Sequence, residues 1–192
     1  HSFFKLPQGS ILGPLLFNIF INDFVNSSNI LKFILFADDT TILHSDLNFN
    51  NLILTINNEL EKIYDWVASN NLIIYLNKTG YIIFGPTIRT RLLKSTVNIN
   101  NICINRFNSV KFLGIIINGS LSWLEHINYI SCKVTKNLGI IYRLKLKFPN
   151  FILYSLYNSL VFPYFIYCIS IWGCSPKSHL HILKLNQTFF VR

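Results

Sequence analysis

Two aspartates stand side by side in the stretch FILFADDTTIL, residues 33–43, between two runs of apolar residues. The pairing is notable because the whole chain contains only 8 Asp and Glu residues. Neighbouring carboxylates repel each other, and their desolvation costs several kcal/mol unless a cation compensates it. The pattern therefore predicts either a polar turn between two strands or a metal site formed by Asp38 and Asp39.

A magnesium site is the chemistry that such a pair would support. Mg²⁺ prefers oxygen ligands and keeps waters and substrate phosphates in the rest of its coordination shell. Paired strands hold the carboxylates more rigidly than a flexible loop does. Two-metal phosphoryl transfer uses carboxylates of this kind to bring both cations to one phosphate. Asp-rich turns are also common for ordinary hydrogen-bonding reasons, so the surrounding motifs must decide between the two interpretations.

The elements around the pair follow from hydrophobic spacing. Apolar runs on both sides predict a hairpin with its polar residues at the tip. Before it, Pro14 marks a helix start. The apolar face of that helix comprises Leu15, Leu16, Ile19 and Phe20. After the hairpin, apolar steps of three and four predict an amphipathic helix over residues 49–70.

The later part of the chain predicts two short strands, then a hairpin, then helices. LIIYLNKTGYIIFG predicts two short strands around the turn NKTG, and VKFLGIIINGSLSW predicts a hairpin with Asn118 and Gly119 at its turn. From Leu124 to Leu146 the pattern is helical, then the segment FPN interrupts it, and a helical pattern resumes. The order predicts an α+β fold, with an antiparallel sheet in the first two-thirds and helices at the end.

The charge balance points to a polyanionic partner. The chain has 17 Lys and Arg against 8 Asp and Glu, which gives a net charge of +9 and a pI near 9.5. Nucleic acid and an anionic membrane surface both fit this excess. A late group of cations lacks acidic residues at helical spacing, which favours phosphate contacts. It comprises Lys133, Lys136, Arg143, Lys145 and Lys147.

The cysteines allow a zinc site as a second interpretation, and a long apolar stretch allows a membrane span. The 4 cysteines form no CxxC pair and are predicted to be buried free thiols. A zinc set of Cys168, Cys174, His179 and His181 matches no common spacing. Residues 151–174 carry no charge and reach the length of a membrane span. Their internal polar residues and Pro163 favour a buried, interrupted helix, so a small membrane protein ranks last.

The motifs and their order resemble the reverse transcriptases of LINE-like, non-LTR retrotransposons, above all the jockey-type elements, over nearly the whole chain. LPQGSILGPLLFNIFINDF resembles the motif that contacts template and nucleotide, and FADDT resembles the palm motif with the catalytic aspartates. LNKTGYIIFG is similar to the motif whose lysine lies near the nucleotide phosphates. VKFLGIIINGSLSWLEHI resembles the primer-grip hairpin, and LYNSLVFPYFIYCISIWG resembles the helical stretch that follows it.

This resemblance implies roles for single residues. Asp38 and Asp39 would be catalytic and would bind Mg²⁺, with Mn²⁺ as the alternative. Lys78 would neutralise or protonate the leaving pyrophosphate. Contacts to the template, the nucleotide and the primer end would come from Gln8, Gly9, Phe36 and Ala37. The primer grip would consist of Phe112, Leu113 and Gly114.

The resemblance also implies a function and its partners. The expected activity is RNA-directed DNA synthesis by two-metal nucleotidyl transfer, on an RNA template with a DNA primer and deoxynucleoside triphosphates. The rest of the retrotransposon polyprotein would be a further partner, and no membrane would be involved. Residues 1–120 would form a partial palm with the primer-grip hairpin, and residues 121–192 a helical thumb-like or connection-like region.

Three departures from the family pattern qualify this expectation. Tyr75 replaces a common Asn, and Asn118 replaces a common Asp. The first catalytic aspartate of the family lies upstream of PQG, but only seven residues precede Gln8 and none is acidic. The chain begins at His1 and contains no Met, so we expect a fragment of a longer product. Because the upstream aspartate and the fingers region of the family are missing from it, we expect a C-terminal part of the domain that does not polymerise alone. The alternative is a non-catalytic, nucleic-acid-binding remnant of a transposable element.

Overall fold

A computed structural model of the chain describes residues 10–85 and 96–191, with side chains as far as residue 185. These residues separate into two compact units. The first unit contains residues 10–81 and 96–106, and the second contains residues 82–85 and 107–191.

The first unit combines one long helix, two shorter ones and short strands. Its elements are α1 (Leu12–Ile21), a 3-10 helix (Asn22–Ser27), β1 (Lys32–Phe36), β2 (Asp39–Leu43), α2 (Phe49–Ser69), β3 (Gly80–Tyr81), β4 (Asn98–Ile99), β5 (Ile102–Cys103) and β6 (Asn105–Arg106). The predicted helix over residues 49–70 is confirmed to within one residue. It begins where the side chain of Asn48 accepts a hydrogen bond from the backbone N–H of Asn50 at 2.9 Å.

The core of the first unit forms on one face of α2. Leu60, Ile63 and Val67 are buried there, at the spacing expected of a helix face. They pack with Phe24, Leu31, Val97, Ile99 and Ile104. The β1–β2 hairpin contributes Phe33, Leu35 and Ile42 to the same core, which fixes one face of the hairpin against the unit.

The second unit begins with a hairpin and continues as helices. Its elements are β7 (Ser109–Phe112), β8 (Ile115–Asn118), α3 (Leu124–Leu144), α4 (Asn150–Leu160), α5 (Phe162–Ile166), α6 (Ile169–Trp172) and α7 (Lys177–Val191). The predicted helix, its break at FPN and the following helix are therefore confirmed. Buried residues of α3, among them Ile127, Ile130 and Val134, pack with Phe165 and Trp172.

The mixture of helices and small sheets is compatible with the α+β class, but the sheets are smaller than predicted. The described strands pair only two by two, as β1–β2, β3–β6, β4–β5 and β7–β8. Three pairs are antiparallel, and β3–β6 is parallel. The strands of β3–β6 and β4–β5 are only two residues long, which leaves little backbone for a continuous ladder.

One of the two strands predicted around NKTG does not form. Residues 72–75 have no strand partner within the described chain, and only Gly80–Tyr81 forms a strand. The apolar alternation is nevertheless real, because Leu72 and Ile74 pack against the core while Tyr75 is exposed. Packing against the core satisfies this alternation without a strand ladder.

The β7–β8 hairpin is confirmed, but its predicted turn was wrong. The turn lies at Leu113 and Gly114, whose φ angles of 45° and 88° suit a tight two-residue hairpin turn. The β-branched run at residues 115–117 extends the strand, so Asn118 ends it. Gly119 serves a different purpose, because a β-carbon there would overlap the carbonyl oxygen of Ile83.

The apolar stretch at residues 151–174 is divided into α4, α5 and α6, and Pro163 lies in the first turn of α5. The predicted interruption near Pro163 is confirmed. The predicted burial was only partly right, since Phe151 and Tyr154 are exposed on α4 while Leu153 between them is buried. Within residues 10–85 and 96–191, no helix has the length and apolar character to cross a membrane.

The cysteines are free, as predicted, but they are not buried. Cys103, Cys132 and Cys174 are exposed, and Cys168 is half-buried. On α3, Cys132 faces away from the core because Ile130 and Val134 occupy the buried side of the helix. In the described part of the chain, no group of three His, Cys, Asp or Glu residues is placed to hold a metal ion, which removes the zinc interpretation there.

Candidate functional site

The two adjacent aspartates lie at the tip of the β1–β2 hairpin, as predicted. Ala37 and Asp38 form the turn, and Asp39 is the first residue of β2, directly opposite Phe36. Ala37 has a φ of 50°, a backbone conformation that costs a non-glycine residue about 1 kcal/mol. The hairpin is anchored by its inner face in the core, so its solvent-facing tip carries the two carboxylates on a supported scaffold.

Both carboxylates are exposed, and no hydrogen bond or ion pair compensates them within the described residues. No third His, Cys, Asp or Glu joins them there to form a metal-holding group. Two exposed carboxylates are a donor set that fits Mg²⁺, which is commonly bound by one or two carboxylates together with waters and substrate phosphates. Asp38 and Asp39 are therefore suited to hold a hard divalent cation, with one side open to an anionic substrate.

An apolar surface adjoins the carboxylates on the outer face of the hairpin. Directly paired residues of an antiparallel hairpin share a face, so Asp39 lies on the same side as Phe36. Phe36 is 58% exposed, and Ile34 on the same side is 40% exposed. An exposed aromatic ring next to a carboxylate suits contact with a base or sugar.

Lys78 lies in the turn that follows residues 72–75, in the same unit as the aspartates. Its backbone N–H donates to the carbonyl oxygen of Tyr75 at 2.9 Å, and its ammonium lies 5.8 Å from the centroid of the Tyr75 ring. The described residues show no ion pair between Lys78 and Asp38 or Asp39. Sequence reasoning noted Tyr75 as a departure from the family pattern but missed its contact with the lysine.

The turn of the β7–β8 hairpin is fixed by residues from distant parts of the second unit. The hydroxyl of Tyr167 donates to the carbonyl oxygen of Leu113 at 2.6 Å. On β8, the backbone N–H of Ile116 donates to Nδ1 of His126 at 3.2 Å. His126 is 2% exposed, and this burial lowers the pKa of its imidazole, which is therefore neutral.

The predicted phosphate-contacting cations are all exposed on or after α3. At about 100° per residue, Lys133, Lys136 and Arg143 fall within an arc of about 80° on the side of the helix away from its core. Lys145 and Lys147 follow in the turn after α3. We call these five residues the basic stripe.

The basic stripe has no counter-charge among the described residues. The ion pair that the described residues contain joins Lys62 and Glu59 at 2.6 Å, and it lies in the first unit. The acidic residue of α3, Glu125, lies in the first turn of the helix, far from Arg143 in its last turn. Exposed cations along one helix face, without acidic partners, suit contact with a nucleic-acid backbone.

Two contacts near the stripe were missed by sequence reasoning. The ammonium groups of Lys111 and Lys133 lie 5.3 Å and 5.6 Å from the centroid of the Tyr129 ring. Lys111 comes from β7 and the other two residues from α3, so no local spacing in the sequence could have shown the cluster. Gln8 and Gly9, predicted to touch template and nucleotide, lie outside the described residues.

Comparison with known proteins gives a family match over most of the first unit and the β7–β8 hairpin. The sequence profile of reverse transcriptase (RNA-dependent DNA polymerase) matches residues 2–117. The chain is 26% identical to the RNA-directed DNA polymerase from mobile element jockey of Drosophila funebris, over 97% of this chain and 21% of that protein. The corresponding jockey protein of Drosophila melanogaster gives the same identity and the same coverage.

A relative from another kind of element is similar over a shorter stretch. A retrovirus-related Pol polyprotein from the type-1 retrotransposable element R1 2 of Nasonia vitripennis is 26% identical over 69% of this chain and 33% of that protein. The chain thus spans about a fifth of the length of the jockey relatives it matches. No solved structure matches it.

Proposed function

This chain belongs to the reverse transcriptase (RNA-dependent DNA polymerase) family, and we propose that it is the C-terminal part of the polymerase domain of a jockey-type, non-LTR retrotransposon protein. The observation that carries the proposal is the exposed Asp38–Asp39 pair at the tip of a core-anchored hairpin, inside the segment that matches the family. The activity of the intact protein, its substrates and its partners are part of this proposal.

The proposed reaction joins a nucleotide to a DNA primer on an RNA template. The primer 3′-hydroxyl gives its proton to water, and its oxygen attacks the α-phosphorus of a deoxynucleoside triphosphate. A new phosphodiester bond forms as the bond from the α-phosphorus to the bridging oxygen of the β-phosphate breaks, and pyrophosphate leaves. Asp38 and Asp39 would hold Mg²⁺, or alternatively Mn²⁺, which supplies stabilisation of phosphate charge in a two-metal transfer. The exposure of both carboxylates leaves room for the triphosphate beside them.

The other residues would place the reactants. Phe36 and Ala37 would lie at the primer end, next to the carboxylates on the hairpin. Lys78 would leave its contact with Tyr75 and neutralise or protonate the pyrophosphate. Gln8 and Gly9 would contact template and nucleotide.

The second unit would hold the nucleic acid. The β7–β8 turn would grip the primer through Phe112, Leu113 and Gly114, and its anchoring by Tyr167 would keep it rigid. The basic stripe would follow the backbone of an RNA–DNA duplex without reading sequence. In functional terms, residues 1–120 would be the partial palm with the primer grip, and residues 121–192 the thumb-like or connection-like region.

We further propose that the 192-residue polypeptide binds a primer–template but does not extend it unaided. Two cations need more protein ligands than the two carboxylates that lie together in the described residues. The absence of a bridging carboxylate would reduce the rate by about 10³-fold or more. The remaining polymerase sequence of the polyprotein would supply that ligand.

The test is primer extension by a chimaera in which these residues replace the matching segment of a working jockey-type polymerase. We expect Mg²⁺-dependent extension by the chimaera and none by the 192-residue polypeptide. Asp38→Asn should lower extension about 10³-fold, whereas Asp65→Asn, an exposed carboxylate on α2, should leave it within about twofold. Equal extension by the Asp38→Asn chimaera would refute the catalytic assignment.

The second candidate is a nucleic-acid-binding protein without catalysis, which the basic stripe favours. It predicts binding that weakens steeply with salt and does not respond to Asp38→Asn. This candidate would be favoured if both the chimaera and the 192-residue polypeptide bind the duplex but neither extends the primer.

A further inference from the structure

The second unit contains a cavity of about 300 Å³ beside the β7–β8 turn. It lies next to α3 and α5, and five of its lining residues carry the argument. They are Gly114, His126, Tyr129, Tyr164 and Tyr167. A cavity of this size is at the lower end of the range that accepts a small organic ligand.

Three tyrosines give the cavity flat apolar walls. The ring of Tyr167 is fixed, because its hydroxyl is bonded to the carbonyl oxygen of Leu113. This ring lies beside the turn, since a β-carbon at Gly114 would sit 3.4 Å from Cε1 of Tyr167, an ordinary van der Waals contact. Aromatic faces, one of them fixed by a hydrogen bond, favour a flat, aromatic ligand through stacking or edge contacts.

His126, one of the lining residues, carries a buried polar atom without a partner among the described residues. Nδ1 of His126 accepts the N–H of Ile116, so the proton of the neutral ring is assigned to Nε2. Nε2 is buried and has no hydrogen-bond partner among the described residues. A buried donor without an acceptor is costly, and a ligand with a carbonyl or ring-nitrogen acceptor would relieve that cost after a small movement of the ring.

Positive charge lies against one wall of the cavity. Lys111 and Lys133 approach the ring of Tyr129 from β7 and from α3, at 5.3 Å and 5.6 Å from its centroid. Neither forms an ion pair within the part of the chain that the structure describes. Two ammonium groups that share one ring repel each other, and an anion placed beside them would remove that repulsion.

We propose that this cavity binds one unpaired nucleotide, with its base against the tyrosines and its phosphate at Lys111 and Lys133. A nucleobase has flat faces that can stack on the tyrosine rings and acceptor atoms that can bond to Nε2 of His126. The phosphate of the nucleotide supplies an anion for Lys111 and Lys133. The proposal rests on the proposed function for its nucleic-acid partner, and it adds a base-binding site formed by residues other than Asp38 and Asp39. The same chemistry is offered by the terminal residue of a strand and by a free nucleotide.

The test measures binding of the 192-residue chain to four probes at fixed salt. These are a blunt RNA–DNA duplex, the same duplex with one unpaired 3′-terminal nucleotide, the same duplex with an abasic residue in that place, and free dAMP as competitor. We expect the unpaired nucleotide to bind about five- to 150-fold more tightly than the abasic residue, the range that base–aromatic stacking supports. This comparison uses the unaltered chain, so it does not depend on the folding of any variant.

Variants then locate the effect. Tyr129→Leu should abolish the preference for the unpaired base and leave binding of the blunt duplex within about twofold. Tyr142→Leu is the matched control, because Tyr142 lies on the same helix, is 71% exposed and does not line the cavity. If free dAMP removes the preference, the site also accepts a free nucleotide, and if it does not, the site needs the strand terminus.

The outcomes separate this proposal from the proposed function. Equal affinity for the unpaired and abasic duplexes, with salt-sensitive binding of both, would overturn the cavity proposal and leave the nucleic-acid role intact. A preference that survives in Tyr129→Leu but is lost in Tyr142→Leu would also overturn it. Failure to bind any duplex at low salt would overturn both proposals.

Discussion

The ammonium of Lys78 lies 5.8 Å from the centroid of the ring of Tyr75, which comes three residues earlier in the chain. An exposed cation–π contact of this kind is worth about 0.5–1 kcal/mol. Tyr75 stands where the sequence resemblance led us to expect Asn, so this chain gives the proposed pyrophosphate-contacting lysine a competing partner. That competition leads to the first prediction.

Replacing Tyr75 with Asn should free the ammonium of Lys78. We expect acylation of Lys78, measured by mass spectrometry after brief labelling, to rise by about twofold or more, because the loss of about 0.5–1 kcal/mol of contact corresponds to about a two- to fivefold change in occupancy. Lys147, in the turn after α3, is the internal control and should label equally in both proteins. Unchanged labelling of Lys78 would show that the ring does not hold it.

The basic stripe should determine the salt dependence of nucleic-acid binding. Each phosphate contact removed should reduce the slope of log affinity against log salt by about one. The triple variant Lys133→Gln, Lys136→Gln and Arg143→Gln should therefore lose about three units of slope in an anisotropy titration at several salt concentrations. Lys177→Gln, an exposed lysine at the start of α7, is the control, and an equal loss in that variant would argue against a localised stripe.

Two glycines should respond to alanine with opposite signs. Gly114 has a φ of 88° at the β7–β8 turn, so Gly114→Ala should lower the free energy of unfolding by about 1 kcal/mol or more. Gly139 lies exposed within α3, and a β-carbon there would meet no atom within 4 Å, so Gly139→Ala should raise it by about 0.5–1 kcal/mol. Urea unfolding measures both, and the same sign for the two would contradict the assigned turn.

Stability should fall in acid partly through Glu59. This residue is 3% exposed on α2, and the pKa of its carboxyl is held below the ordinary value of 4.5, first by the hydrogen bond to Lys62 and then by Ser28. Because the folded-state pKa is lowered, the stabilising effect is complete above pH 4.5 and is lost as pH falls through the folded value.

The measurement is the free energy of unfolding at pH 7 and in the acid range below pH 4.5. Glu59→Gln should be less stable than the unaltered chain at pH 7 and should lose less stability on acidification. Glu61→Gln, an exposed neighbour on the same helix, should keep the original pH dependence. If acid destabilises Glu59→Gln as much as the unaltered chain, the source of the pH dependence lies elsewhere.

The sequence predicted the elements that are determined by interactions between residues close together in the chain. The helix α2 carries its own capping residue, Asn48, and its own apolar spacing, and the tip of the Asp38–Asp39 hairpin lies where polarity interrupts two apolar strands. The turn assigned to Asn118 and Gly119 failed because Asn-Gly is a strong hairpin signal that took no account of the backbone packed against Gly119. The residues next to Gly119 in the sequence give no sign that the backbone of Ile83 packs against it.

The parts of the site that depend on residues far apart in the chain could not be predicted from the sequence. Lys111 and Tyr129 meet because β7 and α3 belong to the same unit, and the hydroxyl of Tyr167 reaches a carbonyl 54 residues away. The exposure of Cys132 likewise depends on which face of α3 is covered. Residue types suggested phosphate chemistry, and only tertiary contacts show where rings and cations come together.

The two-stranded pairing of β1 and β2 has a consequence for handling the isolated chain. Each of these strands has one strand neighbour among the described residues, so no strand of the described chain pairs with its other edge. The outward side chains next to those edges include Ile34, Phe36 and Leu43, all about half exposed, while Lys32 supplies a charge at the start of β1. Open, apolar strand edges invite copies of a protein to add strands to one another, and aggregation is the common result. Concentration-dependent precipitation should therefore set the limit on how this chain is purified, and a lysine introduced in place of Ile34 should raise its solubility.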